Sequence, residues 1–340
     1  MIKVAVLGAG QWGPNLIRNF DNHERSVVAW VVDRDPERLA QVRLRFPTVR
    51  TATEPGPAIE DDTVTAVVIS TPTTTHYALA RAALERAKHV LVEKPLTRTM
   101  AQAAELCALA ERLGRVLMVG HVFIYNLGIQ RVKRYIDQGE LGRVYYVSMV
   151  RTNLGPIRTD VNAAWDLASH DISIVNYWLG ATPTRVAAVG GAWINAGIED
   201  AVFATLRYPG DVLVNLHASW LNPRKAREIT VVGDQRMLTF DDMNLSEPVR
   251  IYDKRVAETY TPATYVDSFA SFRASIREGD IVIPKVPPGE PLRTECNHFL
   301  DCVLSGGACL SGGREGLEVV RTLEAIERSL RGARDEPVQP

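Results

Sequence analysis

Short apolar runs and helix-period stretches alternate along the first third of the chain. The runs are Lys3–Leu7, Val27–Val32, Ala66–Ser70, His89–Val92 and Val116–Val119. Each is rich in Val, Ile or Leu and has no polar alternate face, the pattern of a strand buried on both sides in a parallel sheet. The stretches between them carry helix signals. Asp35-Pro36 is a cap followed by proline at the first helical position. Thr99-Met100-Ala101-Gln102 has the form of a capping box, and Gly114 supplies a stop. Between these two signals Ala103, Leu106, Cys107, Ala110 and Leu113 recur at helical spacing, which makes Cys107 a core residue. Strand–helix alternation of this kind predicts a doubly wound α/β sheet.

Beyond about residue 125 the pattern changes. A helix near Ile129–Gln138 ends at Gly139, and longer runs with alternating, aromatic-containing positions follow: Val144–Arg151, Arg185–Trp193, Ala201–Tyr208, Val212–Trp220, Glu228–Val232 and Met237–Phe240. Tyr208-Pro209-Gly210-Asp211 reads as a turn between two of them. A last helix over 314–330 follows a Gly-rich turn. The expected architecture is α/β: a parallel-sheet domain over 1–122, then an α+β domain over 123–340 with a large, mostly antiparallel open sheet. Two domains also suit 340 residues, since single cores stop growing at roughly 250–300.

Composition and charge remove several function classes. The net charge is −1, and acidic and basic residues are mixed along the chain. No basic tract follows a phosphate backbone, so a nucleic acid partner is not expected. No apolar run reaches the roughly 18–20 residues of a membrane span. The chain opens as a strand and not as a charged leader, and Cys107, Cys296, Cys302 and Cys309 form no Cys-x-x-Cys pair. A cytoplasmic protein without a bound metal is therefore expected.

The first run leads into Gly8-Ala9-Gly10-Gln11-Trp12-Gly13, a G-x-G-x-x-G turn that opens a helix at Pro14–Asn19. The first glycine allows the turn, the second lets a pyrophosphate reach the backbone, and the third lets helix and strand pack closely. Free N–H groups at the helix start then face the phosphates. Asp33, at the end of the second strand, is placed to accept hydrogen bonds from the adenosine ribose. This pattern predicts a Rossmann domain binding NAD, because the Asp33 charge repels a 2′-phosphate. Arg34 beside it can hold that phosphate, so NADP stays open.

Two further groups carry candidate chemistry. Lys94, in Glu93-Lys94-Pro95, follows the strand His89–Val92 and so projects from the carboxyl edge of the sheet, where ligands bind. A lysine there can exchange protons with a substrate hydroxyl, or it is a solvated turn residue. Asp166 and His170 are four apart at the start of a helix ending at Gly180, a spacing that puts both on one face. Asp166 can orient a hydroxyl or the imidazole, with His170 as general base. An N-capping Asp beside a packed histidine fits the same residues.

With these pieces assembled, the chain resembles the Gfo/Idh/MocA oxidoreductases over essentially its full length. The resemblance rests on the glycine motif, Ser70-Thr71-Pro72 with His76, Glu93-Lys94-Pro95, Asp166-x-x-x-His170 and the tail Glu295–Asp301. It implies hydride transfer between the nicotinamide and a ring carbon of a sugar or cyclitol. Lys94, Asp166 and His170 match the family's active-site residues, and Thr71, Pro72, His76 and Glu93 are implied along the cofactor. On its own, His76 reads equally well as a packed histidine at a helix start.

Gly10–Phe20 and the stretch from Asn153 through Arg158 to Trp165-Asp166-Leu167 resemble one branch, the nucleotide-sugar 3-dehydrogenases acting on compounds such as UDP-N-acetylglucosamine. A diphosphate needs cations. Arg151 and Arg158 flank the approach to Asp166, Arg224, Lys225 and Arg227 follow a strand end near Trp220, and Tyr125, Asn153 and Trp165 are further candidate substrate contacts. Inositol or free-sugar dehydrogenation is the alternative chemistry, and a non-catalytic dinucleotide-binding regulator the alternative class. The family resemblance also implies a homodimer or homotetramer paired through the open sheet.

Overall fold

The structure is a computed structural model that describes residues 1–256, 276–332 and 336–338. The chain divides into two compact units, Met1–Tyr125 with Glu290–Glu324, and Asn126–Gly289 with Ala325–Pro340.

The first unit is built on strands β1 (Ile2–Leu7), β2 (Ser26–Val32), β3 (Arg50–Ala52), β4 (Ala66–Ile69), β5 (His89–Glu93) and β6 (Leu117–Gly120). They form one parallel sheet in the order β3-β2-β1-β4-β5-β6. The apolar runs explain it: in β4 all four residues are buried, as are Val4–Leu7 of β1. The helices are α1 (Gly13–Asp21), α2 (Pro36–Arg45), α3 (Gly56–Glu60), α4 (Thr73–Glu85) and α5 (Met100–Leu113). Their ends follow the sequence signals. Asp35 accepts the Glu37 N–H, Thr99 accepts the Gln102 N–H, and Gly114 closes α5 in the left-handed conformation. Chain order reverses between β1 and β4, which makes the carboxyl edge there a switch point where ligands of open α/β sheets bind.

The second unit holds α6 (Leu127–Asp137), β7 (Val144–Leu154), α7 (Ser169–Leu179), β8 (Arg185–Gly191), β9 (Ala201–Tyr208), β10 (Val212–Ser219), β11 (Leu221–Gly233), β12 (Met237–Asp241), β13 (Val249–Val256), β14 (Ile276–Val282) and β15 (Glu336–Pro337). The sheet order is β14-β13-β12-β11-β7-β10-β9-β8-β15, antiparallel except for the β10–β7 pair. Period-2 alternation buries Val202, Ala204, Leu206 and Tyr208 of β9 and leaves Phe203 exposed. The indole N–H of Trp178 in α7 donates to the Ile129 carbonyl of α6 at 2.9 Å, joining the two helices of this unit.

The division differs from the expected 1–122 and 123–340 at the C-terminal end. Two helices follow Gly289, α8 (Pro291–Ser305) and α9 (Gly313–Gly332). All of α8 and the first part of α9 cluster with the first unit. The reason is packing: Leu292, Cys296, Phe299 and Leu300 make a buried helical stripe, with Phe299 edge-on to Phe20 at 6.1 Å. Glu290 adds an ion pair to Arg18. β8 also stops at Gly191, short of Trp193, because the Asp200 carboxylate accepts the N–H groups of Trp193 and Ile194 and turns the chain. All four cysteines are free thiols. Among the described residues no helix is long and apolar enough to cross a membrane.

Candidate active site

The glycine turn joins β1 to α1. Gly8 has φ +100°, and its N–H donates to the Val32 carbonyl at 2.7 Å. A Cβ on Gly13 would lie 2.1 Å from the Gly8 carbonyl oxygen, so strand and helix meet backbone to backbone. No side chain caps the start of α1, and Pro14 follows directly. The first N–H groups are thus left for an anion. Gln11 and Trp12 are exposed within the turn.

Asp33 closes one side of this turn. Its Oδ2 accepts the Ala9 N–H at 2.7 Å and its Oδ1 accepts the Asp35 N–H at 2.9 Å, which fixes the carboxylate beside the glycines. The neighbouring cation is Arg38, 3.6 Å from Asp33 and 3.4 Å from where a Gly10 Cβ would stand. Arg34, the cation expected there, is exposed. Arg38 was missed although it falls in the first turn of α2, where a helical residue can reach back over the turn.

On the other side of β1 lie the ends of β4 and β5. His76 is buried, with its ring nitrogens 2.9 Å from the carbonyl oxygens of Pro95 and Thr71. It ties the Thr71-Pro72 segment to the Lys94-Pro95 turn. Thr71 and Thr75 pair through their hydroxyls at 2.7 Å. Glu93 is half-buried. The Lys94 N–H donates to its Oε2 at 3.3 Å, and Trp12 also hydrogen-bonds to it. Burial pushes Glu93 up to about 7, against the pull of Lys94. Lys94 is also partly exposed, and its peptide bond to Pro95 is cis.

In the second unit Asp166 lies in a π-helical turn, Ala164–Ala168, that runs directly into α7 carrying His170. Single π turns are frequent at functional sites. The Trp220 indole N–H donates to Asp166 Oδ2 at 3.1 Å, and Arg158 donates to Oδ1 at 3.2 Å. Arg158 also grips Asp160 at 2.9 and 2.7 Å. Trp220, a strand-end aromatic with no distinguishing sequence signal, is a holder of Asp166 that sequence reasoning missed.

Three expected substrate contacts are engaged elsewhere. Arg151 is 4% exposed, and two of its nitrogens hold Asp171 Oδ1 at 2.8 and 2.7 Å. Tyr125 is buried, its hydroxyl 2.9 Å from Ser311. Trp165 is buried with its indole N–H on Glu327 at 3.3 Å. Each aromatic or cation satisfies an internal partner, as buried polar groups must. Asn153 hydrogen-bonds to the Gly155 carbonyl, within its own loop.

Glycine turn, uncapped helix start and the Asp33 carboxylate beside them fit a dinucleotide, and the class of protein they define is a Rossmann-type dinucleotide-binding protein with an appended open-sheet domain. Comparison with known proteins narrows this. Residues 2–121 match the model of the Gfo/Idh/MocA oxidoreductase family, NAD-binding Rossmann fold, and residues 129–239 match that family's C-terminal domain. The chain belongs to the Gfo/Idh/MocA family.

Among curated relatives, UDP-N-acetylglucosamine 3-dehydrogenase of Acidithiobacillus ferrooxidans is 29% identical over 72% of this chain and 75% of that protein. The scyllo-inositol 2-dehydrogenase (NAD(+)) of Bacillus subtilis is 30% identical over 58% of this chain and 60% of its own length. The chain spans about three fifths of the length of several curated relatives it matches. A solved structure of GenD2 from gentamicin A biosynthesis, in complex with NAD, superposes with a TM-score of 0.82 at 25% identity, covering 100% of this chain and 97% of that one.

Proposed function

We propose that the protein is an NAD(P)-dependent dehydrogenase that oxidises a ring hydroxyl of a sugar, with C3 of a nucleotide sugar such as UDP-N-acetylglucosamine as the substrate position. The observation that carries the reading is strand order. Asp33 lies on one side of the glycine turn and Lys94 on the other, so a dinucleotide held at both would bring its nicotinamide to Lys94. When bound, the nicotinamide supplies the hydride acceptor. Lys94 and His170 share the reacting hydroxyl, with His170 taking its proton and Lys94 donating a hydrogen bond to the oxygen. Asp166, held by Trp220 and Arg158, orients the sugar or the imidazole. The same groups serve ketone reduction in reverse.

The sugar assignment draws on the A. ferrooxidans relative and on the Gly10–Phe20 and Asn153–Arg158 stretches. One observation favours the second reading, an inositol or free-sugar dehydrogenase: Arg151 is buried on Asp171, and Arg158 is held by two carboxylates. We also propose a homodimer or homotetramer paired across the open sheet, where Tyr146, Val189, Phe203, Leu213 and Ile281 are exposed. Four free thiols suit a cytoplasmic location.

The test is the near-ultraviolet absorbance of reduced nicotinamide with NAD or NADP and a panel of UDP-sugars, dTDP-sugars, free sugars and inositols. The wild type turns over a nucleotide sugar, and Lys94→Ala lowers turnover by roughly 10²–10⁴ while NAD still binds. Unchanged turnover in that variant removes Lys94 from the mechanism.

A further inference from the structure

Two carboxyl groups of the first unit accompany Lys94, and the chemistry above gives neither a task. Glu93 ends β5, and Glu295 sits in α8. Strand order sets which end of a dinucleotide they meet. Asp33 stands at the end of β2, on one side of β1, whereas β4 and β5 stand on the other. A dinucleotide with its adenosine ribose on Asp33 and its diphosphate on the glycine turn therefore extends its nicotinamide toward Glu93.

Glu93 is fixed from three directions. A Cβ on Gly120 of β6 would stand 3.1 Å from both of its carboxylate oxygens. The Lys94 N–H donates to it at 3.3 Å, and Trp12 hydrogen-bonds to it from the glycine turn. Glu295 has no such support. It is 0% exposed, and neither carboxylate oxygen has a hydrogen-bond partner among the described residues. Burial first, and then the neighbouring Glu93, raise Glu295 well above the usual carboxylate range, and a fully buried carboxyl without a hydrogen-bond partner favours the neutral acid.

Other ionisable groups face the pair. Cys296 of α8 and Tyr125, just before α6, are both kept protonated by burial. His121, past β6, is 1% exposed and pushed down to about 3 by burial and by Lys94, so it stays neutral. Lys94 supplies the adjacent positive charge.

We infer that Glu93 and Glu295 form a carboxyl pair that carries one proton when oxidised dinucleotide is bound and two when reduced dinucleotide is bound, tying the affinity for each redox form to pH. The inference rests on the proposed dinucleotide reading. The oxidised nicotinamide ring is positively charged and favours the Glu93 carboxylate. The reduced ring is neutral and buries that carboxyl without a counter-charge, which favours the acid. A ligand that favours the deprotonated pair binds more tightly as pH rises, and one that favours the protonated pair binds less tightly.

Calorimetric titration of the full chain with NAD and NADH, in buffers of differing ionisation enthalpy, counts the protons. Near pH 7, NAD binding is expected to release roughly 0.4 proton for a one-unit displacement of Glu93, and NADH binding to take protons up. Over about pH 6 to 8 the NAD Kd falls roughly fivefold on the same displacement. Glu93→Gln abolishes release and slope. Glu295→Gln, neutral like the acid it replaces, keeps them. Lys94→Met keeps the release with its midpoint moved upward, because the ammonium that held Glu93 down is gone. Proton-neutral NAD binding in the wild type overturns the inference, as does release that survives Glu93→Gln or is lost in Lys94→Met or Glu295→Gln. Failure of the wild type to bind NAD at all overturns instead the dinucleotide reading on which the inference stands.

Discussion

Alanine at Gly10 and alanine at Gly13 should fail in different ways. A Cβ on Gly10 meets only Arg38 Nη1, at 3.4 Å, the far end of an exposed side chain. The folded chain accepts this methyl group, and the stability change stays within about 1 kcal/mol, toward stabilisation through lower unfolded-state entropy. The same methyl group fills the space a diphosphate needs. Loss of one or two charge-assisted hydrogen bonds, at about 1.5–3 kcal/mol each, raises the NAD Kd by roughly 10- to 100-fold or more. A Cβ on Gly13 lies 2.1 Å from the Gly8 oxygen and 2.9 Å from the Gly8 carbonyl carbon, both backbone atoms. No rotamer relieves that clash, so β1 and α1 must separate. Overpacking costs about 1–3 kcal/mol even where side chains can move, and the melting temperature should fall by roughly 2–10 °C or more at about 2–4 °C per kcal/mol. Thermal denaturation and fluorescence titration with NAD read the two effects separately. Gly10→Ala with wild-type NAD affinity would mean that no diphosphate lies against Gly10, and Gly13→Ala with an unchanged melting temperature would mean that β1 and α1 are not in backbone contact there.

Three other perturbations follow from the same geometry. Arg151→Met leaves the buried Asp171 carboxylate without its hydrogen-bonded cation, with Arg227 the remaining positive charge, at a cost of roughly 3–5 kcal/mol in denaturant unfolding; the double change with Asp171→Leu should recover most of it, and no recovery would mean that the pair is not the source. Asp33→Ser removes the charge that repels a 2′-phosphate and releases Arg38 toward it, so the NAD-to-NADP preference measured by Kd should fall by roughly 10- to 100-fold; an unchanged ratio would separate Asp33 from the ribose. Arg158→Ala should raise KM for a nucleotide sugar by about tenfold if Arg158 meets the diphosphate, and an effect equally large on a free sugar would assign Arg158 to Asp166 alone.

Local signals were sufficient for five of the six strands of the first sheet; the edge strand β3, Arg50-Thr51-Ala52, is too short and polar for any apolar run to mark it. The sheet's buried strands are unbroken apolar runs, and Asp35, Thr99 and Gly114 mark helix ends with their own hydrogen bonds or backbone conformation. The second sheet was legible only where alternation is clean. β14 carries Glu278, Gly279 and Asp280, and β11 begins with Leu221-Asn222-Pro223 and three cations before its apolar stretch, so neither pattern announces a strand there. The return of α8 to the first unit depends on contacts distant in sequence, such as Phe299 with Phe20, that no local pattern encodes. The site divides the same way. The placement of Asp33 beside the Gly8–Gly13 turn could be read because the motif has a fixed strand–turn–helix spacing. Arg151 and Tyr125 could not be placed, because a cation or hydroxyl looks the same in sequence whether it meets a ligand or a buried Asp171 or Ser311. Trp220 and His121 carry no motif at all.

Under the proposed function, Lys94, Asp166 and His170 serve one nicotinamide held on the glycine turn. A crystal structure of the NAD complex tests it most directly. The expected complex has the adenosine ribose on Asp33, the diphosphate over Gly10, and the Lys94 ammonium and His170 imidazole both lining the space in front of nicotinamide C4. A nicotinamide directed away from Lys94, or a His170 ring facing a separate cavity, would contradict it.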